Sequence, residues 1–502
     1  MIEGGTPATL EQPVRNYVGA EWLEPTGEGS REVVNPATGE PFTETPFSSD
    51  GDVDAAVETG HEAFEEWRHR PVEERIQPLF EFKALLEEHV DDLASVIVTE
   101  HGKTLAEARG ELRRGIENVE VACGAPTLMQ AGTLQHAAPG IDESAIRHPL
   151  GVFAAITPFN FPGMIPLWFL PYAVATGNAF VLKPSERTPL TARALIELLA
   201  ETSLPDGVVS LINGGPETVE RLLAHDDVVG ASFVGSTPVA KSIYETAAKR
   251  GKRVQAQGGA KNHVVVSDSA NLEYAAEKTI SSAFANSGQR CLANPIAVVH
   301  DDVYEVFADL LVERARDLEV GPGDYPATDV GPLVSEERVE AVREYVETGV
   351  EEGASLLLDG RGADVPDTGY YLGPTIFGDV IREMTIAREE IFGPVLGLVR
   401  AESFEAAVET VNASRYGNAA SLFTERGREA REFRTRVEAG NVGINVGTAA
   451  PMAFFHFGGR KDSFFGDLHG QAEDVVRFYT DETVYIERWP DAEIDAGDGT
   501  NG

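Results

Sequence analysis

The sequence predicts an α/β protein of roughly two or three domains, built on parallel sheets covered by helices. Three observations carry this. A chain of 502 residues is longer than one hydrophobic core accommodates. From residue 151 onward, short apolar runs alternate with amphipathic stretches, the pattern of strands and crossover helices. A composition of 42% hydrophobic and 25% charged residues is that of a globular chain rather than a disordered one.

Residues 1–50 read as short strands and turns, carried by Asn16-Tyr-Val-Gly-Ala-Glu-Trp22 and Val33-Val-Asn-Pro-Ala-Thr-Gly39. Apolar residues at three-to-four spacing predict helices over 52–67, 73–100 and 105–125. Strands follow over 152–156, 179–183, 208–212 and 229–234, with helices over 190–201 and 239–250 between them. A second alternating region has strands over 262–267, 295–299, 419–423 and 441–445, and helices over 272–285, 304–317 and 336–352. Residues 474–488 include a β-branched and aromatic run that reads as an exposed edge strand, which invites pairing with another subunit. The last dozen residues read as a flexible acidic tail.

The chain carries 82 acidic against 41 basic residues, a net charge of −41, and only nine of the basic residues are lysines. Such a surface repels nucleic acid and anionic membranes, so neither is expected as a partner. No apolar run reaches the roughly 18 residues of a membrane span, and no secretory signal pattern opens the chain. Two cysteines build no disulfide framework, which fits a reducing cytoplasm. The charge excess reads as a strongly hydrated, halophilic surface.

Several motifs carry chemistry. Cys291 follows a Ser-Gly-Gln turn, with Arg290 beside it; a nearby cation favours the thiolate, yet an isolated cysteine is more often a small buried apolar residue. Thr157-Pro-Phe-Asn-Phe-Pro162 holds Asn160 in a rigid turn, where its amide can donate to an oxyanion or simply shape the turn. Lys183 and Glu186 end a buried strand, where ligands bind open α/β sheets; a loop ion pair is the plainer reading. Phe233-Val-Gly-Ser-Thr-Pro238 opens a helix, with Thr237 a candidate cap and Gly235 and Ser236 small enough to admit a phosphate. The full Gly-x-Gly-x-x-Gly fingerprint is absent. Glu390 and Phe392 offer a carboxylate and an aromatic ring beside a tight turn, to hold a nucleotide or to form a strand entry. Phe454-Phe-His-Phe457 can line a tunnel or pack in a core, while Cys123 and His263 read as packed structural residues. No His/Cys/Asp cluster has metal-ligand spacing, so no metal is expected.

Taken together, Thr157-Pro-Phe-Asn-Phe-Pro162, Leu182-Lys-Pro-Ser-Glu186, Phe233-Val-Gly-Ser-Thr237, Gly288-Gln-Arg-Cys291, Glu390-Ile-Phe-Gly-Pro394 and Tyr416-Gly-Asn-Ala-Ala420 resemble the aldehyde dehydrogenase superfamily over almost the whole chain. The resemblance implies the aldehyde dehydrogenase-like fold: a Rossmann-type dinucleotide-binding domain (1–131 and 152–256), an α/β catalytic domain (257–467) and a small β oligomerisation element (132–151 and 468–490). It makes Cys291 the nucleophile and Asn160 the oxyanion donor. Ile156, Thr157, Phe159, Lys183, Ser185, Glu186, Gly215, Gly235, Ser236, Glu390 and Phe392 would contact NAD. A carboxylate at Glu186 would repel a 2′-phosphate and favour NAD over NADP.

One departure points to a subtype. Hydrolytic members carry a water-activating glutamate in Glu-Leu-Gly-Gly-Lys, but here the stretch is Gln257-Gly-Gly-Ala-Lys261, and an amide accepts no proton at neutral pH. Gly259-Ala-Lys-Asn-His263, Gly115-Ile-Glu-Asn-Val-Glu120 and Phe464-Phe-Gly-Asp467 resemble the methylmalonate-semialdehyde dehydrogenase branch, which passes its acyl group to coenzyme A. That branch implies a small carboxylated aldehyde as substrate, held by Arg114 and Arg290, with Gln257 orienting a group nearby and a homodimer or homotetramer as the assembly. A hydrolytic semialdehyde dehydrogenase giving a free acid is the alternative. The charge reading alone predicts that thermal stability and activity rise with added salt. A maximum in salt-free buffer would contradict it.

Overall fold

The computed structural model describes residue 10 and residues 12–489, so the expected tail over 491–502 lies outside the described residues. Its first sheet has eight strands in the spatial order Glu21–Leu23, Asn16–Val18, Val209–Leu211, Ala179–Lys183, Val152–Ile156, Val228–Val234, Arg253–Gln257 and Phe464–Gly466. The five from Val209–Leu211 to Arg253–Gln257 run parallel. The central ones are buried at every position, which is why they read as continuous apolar runs rather than alternating ones. From Val152–Ile156 the chain steps outward to Ala179–Lys183 and Val209–Leu211, then returns to the other side at Val228–Val234. This reversal opens a crevice at the carboxyl ends of the strands, the usual ligand position in such sheets. Ile156 lies opposite Phe233 and Lys183, so the loops that follow all three strands leave on one edge.

The predicted helix over 73–100 is three helices, Val72–Arg75, Gln77–Glu88 and Val90–His101. Pro78 falls in the first turn of the second, where its missing N–H costs nothing, and His89 is non-helical at φ −100°, ψ 18°. Periodicity missed the helix Met164–Thr176 because all thirteen residues are buried and no polar stripe marks a face. It packs on Leu105–Ala122 at Gly115, where a Cβ would come within 2.7 Å of Leu167. Helix Leu105–Ala122 itself begins with a capping box between Thr104 and Glu107.

The second sheet has seven strands in the order Ser355–Leu358, Thr375–Gly378, Val395–Ala401, Ile296–His300, His263–Val266, Ala419–Phe423 and Asn441–Ile444. All but Ser355–Leu358 run parallel. Residues 464–466 fall within the stretch expected to be catalytic, yet they pair antiparallel with Gln255–Gln257 at the edge of the first sheet. The stretch 474–488 contains the expected edge strand in its second part. Its beginning belongs to the helix Ala472–Phe478, which buries Val475, Val476 and Phe478 at helical spacing. Only Thr480–Glu487 is extended, and it joins Thr133–Ala138 and Ile141–Pro149 in a three-stranded sheet as an edge exposed at seven of its eight positions. Among the described residues no helix is long and apolar enough to cross a membrane.

Candidate active site

Cys291 is placed by a backbone turn that few residues adopt. Helix Leu272–Phe284 ends, and Asn286 (φ 54°), Ser287 (φ 54°) and Gly288 (φ 74°) follow in left-handed conformation. For the two non-glycine residues this costs about 1–3 kcal/mol each, so the surroundings must impose it. They do so through specific bonds. The Asn286 N–H donates to Glu107 Oε1 at 2.5 Å, and Ser287 Oγ donates to the Gly331 carbonyl at 2.6 Å. The Val334 N–H donates to Gln289 Oε1 at 3.2 Å. A Cβ on Gly288 would lie 2.1 Å from the Gly393 carbonyl oxygen, so glycine is required there. Beyond the turn, the Cys291 carbonyl accepts from Asn262 Nδ2 and Asn418 Nδ2, both at 2.8 Å.

Asn160 faces this turn from the first sheet's edge. Its Nδ2 donates to the Gln289 carbonyl at 2.9 Å, which fixes the amide and leaves its second N–H for another acceptor. Its backbone carbonyl accepts from Lys103 Nζ at 2.7 Å and from Asn286 Nδ2 at 3.3 Å. Lys103 is fully buried and also donates to Glu111 Oε2 at 2.5 Å, while Glu111 Oε1 accepts the N–H groups of Gly163 and Met164. The segment bearing Asn160 is thus tied by charge-assisted bonds to helix Leu105–Ala122 and to the start of Met164–Thr176.

Two cavities meet at Cys291. One, of about 470 Å³, is lined by Arg114, Arg290, Phe161, Trp168, Phe457 and Cys291 among others. The Arg114 guanidinium pairs with Glu117 Oε2 at 3.0 Å and reaches Met452 Sδ at 2.7 Å. Among the described residues no side-chain partner engages the Arg290 guanidinium, which leaves its fork available to an anion. The second cavity, of about 300 Å³, is lined by Phe159, Asn160, Gly235, Ser236, Glu390, Phe392 and Cys291. Phe392 holds φ 55° there, with its ring edge-on to Phe159 at 6.0 Å.

The remaining nucleotide candidates line the same carboxyl edge of the first sheet. Ile156 and Lys183 end neighbouring strands, and the Thr157 N–H donates to the Lys183 carbonyl at 3.1 Å. Lys183 Nζ pairs with Glu186 Oε2 at 3.4 Å, Ser185 is buried, and Gly215 precedes helix Pro216–Ala224. Although burial works against it, Lys183 holds the Glu186 carboxyl below its ordinary range, so it is ionised at neutral pH. Helix Thr237–Ala248 is capped by Ser236, not Thr237, and without a side-chain bond, so its first N–H groups remain unbonded by a cap. Thr237 instead donates to the Asp462 carbonyl and accepts from the Gly259 N–H, tying two loops together. Gln257 lines neither cavity. Its Nε2 donates to the Phe457 carbonyl at 3.3 Å, which places the side chain behind the wall of the larger cavity.

Electrostatics set the protonation of this site. The sequence suggests that Arg290 favours the thiolate, but burial outweighs it and pushes the Cys291 thiol up to about 11. Burial also pushes the Glu390 carboxyl up to about 7, against the pull of the Ala260 N–H and Lys261. Lys261, with no hydrogen-bond partner for its buried Nζ, is driven by desolvation down to about 7. Sequence reading passed over Lys103, Glu107, Glu111, Asn262, Asn286 and Asn418, all polar and mostly buried. Their only sequence signal is the position of Asn262, Asn286 and Asn418 inside stretches already singled out. In the free protein, alkylation of Cys291 by iodoacetamide, resolved from Cys123 by peptide mass, is predicted to accelerate with pH up to the thiol pKa of about 11. A rate that levels off near neutrality would contradict this.

Comparison with known proteins shows the family and the fold. Malonate-semialdehyde dehydrogenase 1 of Bacillus licheniformis is 46% identical over 481 residues, 96% of this chain and 99% of its own. The crystal structure of methylmalonate-semialdehyde dehydrogenase from Oceanimonas doudoroffii superposes with a TM-score of 0.94 at 42% identity, covering 96% of this chain and 99% of that one. The NAD+ complex of an aldehyde dehydrogenase from Bacillus cereus superposes at 0.93 with 31% identity, covering 97% and 99%. The sequence model of the aldehyde dehydrogenase family matches residues 22–484, and the chain belongs to that family.

Proposed function

We propose that this protein oxidises malonate or methylmalonate semialdehyde with NAD through a thioester on Cys291, and passes the acyl group to coenzyme A. The observation that carries the substrate class is the pair of arginines in the cavity that ends at Cys291. An aldehyde whose carboxylate engages the Arg290 fork, with Arg114 beside it, would present its carbonyl carbon to the thiol. The names of the similar proteins, malonate- and methylmalonate-semialdehyde dehydrogenase, agree with that choice.

The smaller cavity and the carboxyl edge of the first sheet beside it offer the groups that would hold a dinucleotide. The helix N-terminus at Ser236 has free N–H groups for a pyrophosphate, Gly235 is small enough to let it approach, and the Lys183–Glu186 pair can take ribose hydroxyls. The Glu186 carboxylate disfavours a 2′-phosphate. When bound, NAD supplies the hydride acceptor. Cys291 Sγ gives its proton to solvent and attacks the aldehyde carbon as thiolate, and the free N–H of Asn160 with the Cys291 backbone N–H receives the oxyanion. Loss of hydride from the tetrahedral adduct leaves the thioester on Sγ. The thiolate of coenzyme A then displaces Cys291, which leaves as thiolate and regains its proton. Loss of CO2 from the acyl group, with a proton from solvent taken up at the α carbon, gives acetyl-CoA from malonate semialdehyde and propionyl-CoA from its methyl homologue. With an amide at Gln257 turned away from the cavity, a thiol acceptor that needs no protein base suits this site.

Hydrolysis to a free acid is the second reading, favoured by one observation. Glu390, pushed up to about 7, shares a cavity with Cys291 and is a carboxylate that can exchange a proton near neutrality. Product masses from malonate semialdehyde and NAD, with and without coenzyme A, separate the two. Acetyl-CoA formation with turnover raised at least about tenfold by coenzyme A is predicted, equivalent to roughly 1.4 kcal/mol off the deacylation barrier. Free acid at an unchanged rate would overturn the acylating reading, and Arg290→Ala is predicted to raise KM for the carboxylated substrate far more than for propanal.

A further inference from the structure

His456, His469 and Asp474 are far apart as sequence motifs go, and spacing alone gives no sign of a metal centre. The fold brings one donor atom of each within 4.8 Å of the others. Asp474 Oδ2 lies 3.3 Å from His469 Nδ1 and 3.9 Å from His456 Nδ1, so two imidazole nitrogens converge on one carboxylate oxygen. The rings are stacked, with centroids 5.1 Å apart and planes 22° apart.

His469 is held as a ligand would be. Its Nε2 lies 3.3 Å from the Gly459 carbonyl, which has no proton to give, so Nε2–H is the donor. Its Nδ1 faces Asp474 Oδ2 at 3.3 Å, a contact that a proton on Nδ1 bridges and that a cation can take over. An imidazole oriented by a backbone carbonyl on its far nitrogen is the common support of a metal-ligating histidine. The ring is fixed on its other sides too. It lies against Phe464 at 4.2 Å between centroids, and over Gly458, where a Cβ would come within 1.8 Å of Cδ2. Asp474 is likewise positioned, since the His469 backbone N–H donates to its Oδ2 at 3.4 Å.

We propose that His456, His469 and Asp474 form a binding site for a divalent cation of borderline softness, with Zn2+ as the best match to two imidazoles and one carboxylate. Zinc–ligand bonds of about 2.0–2.2 Å require the donors to draw together by roughly 1 Å. His456 can make that movement, because its side chain is 54% exposed while His469 and Asp474 are each 24% exposed. Water completes the coordination on the solvent side.

The site sits behind the wall of the larger cavity. Phe457 and Gly470 exchange backbone hydrogen bonds of 2.8 and 3.1 Å, and they directly follow His456 and His469. Phe457 and Gln471 both line the cavity with Arg114, Arg290 and Cys291. A cation bridging His456, His469 and Asp474 therefore clamps this two-strand bridge and stiffens the wall that faces the thiol.

The test is calorimetric titration of Zn2+ into the full-length Cys291→Ala protein, so that the thiol does not compete, in excess Mg2+ to occupy the acidic surface. One zinc per chain is expected, together with a rise in melting temperature. In the Cys291→Ala/His456→Ala protein, whose zinc-free melting temperature should match that of Cys291→Ala because His456 is exposed, both the uptake and the rise should vanish. Asp474→Asn in the same background should weaken uptake at least tenfold. Absence of uptake by the Cys291→Ala protein, or uptake that survives His456→Ala, would overturn the assignment.

Discussion

The left-handed turn through Asn286, Ser287 and Gly288 is the constraint on which the site depends, because it leads the chain to Cys291, whose carbonyl Asn262 and Asn418 then hold. A turn of this kind does not form from local preference. It is imposed by Glu107 from one helix, by the Gly331 and Gly393 carbonyls from two loops, and by Gln289 bonded to Val334. Those partners come from three separate stretches of the chain, at Glu107, at Gly331 to Val334 and at Gly393. The thiol's position is therefore a property of the assembled fold, and two cavities can share it as a common end.

Buried charge does the positioning on the facing side. Lys103 and Glu111 are both fully enclosed, and removing either would leave the other unpaired at a cost of about 3–5 kcal/mol. The pair is retained where it fastens the backbone of Asn160 to the first turn of Met164–Thr176. The same enclosure keeps the resting thiol protonated and draws Glu390 and Lys261 toward neutrality. In the proposed reaction a protonated thiol is protected from adventitious oxidants until substrate and cofactor fill the cavities.

The parallel core was legible from sequence because its strands are short continuous apolar runs between helical periods, as at Val152–Ile156 and Ala179–Lys183. The helix Met164–Thr176 was not, since burial on every side erases the period that identifies a helix. The split at Pro78 and His89 was hidden by a pattern that continues across both breaks. At the site, Cys291, Asn160, Glu390 and Phe392 stood out as residue types in motifs, and the fold brings them to one cavity. Lys103, Glu107 and Glu111 read as ordinary residues of an amphipathic helix region, because their role lies in partners more than forty residues away. The thiol's protonation was misjudged for a related reason. Sequence shows the neighbouring Arg290 but not the burial that outweighs it.

The central claim is that chemistry passes through a covalent bond to Cys291. It is tested most directly by quenching the protein after reaction with NAD and malonate semialdehyde in the absence of coenzyme A, then locating added mass by peptide sequencing. An acyl group on the peptide bearing Cys291, removed by later addition of coenzyme A, is the predicted result. NADH formed in full turnover with no adduct on that peptide, or with the adduct on another residue, would contradict the account.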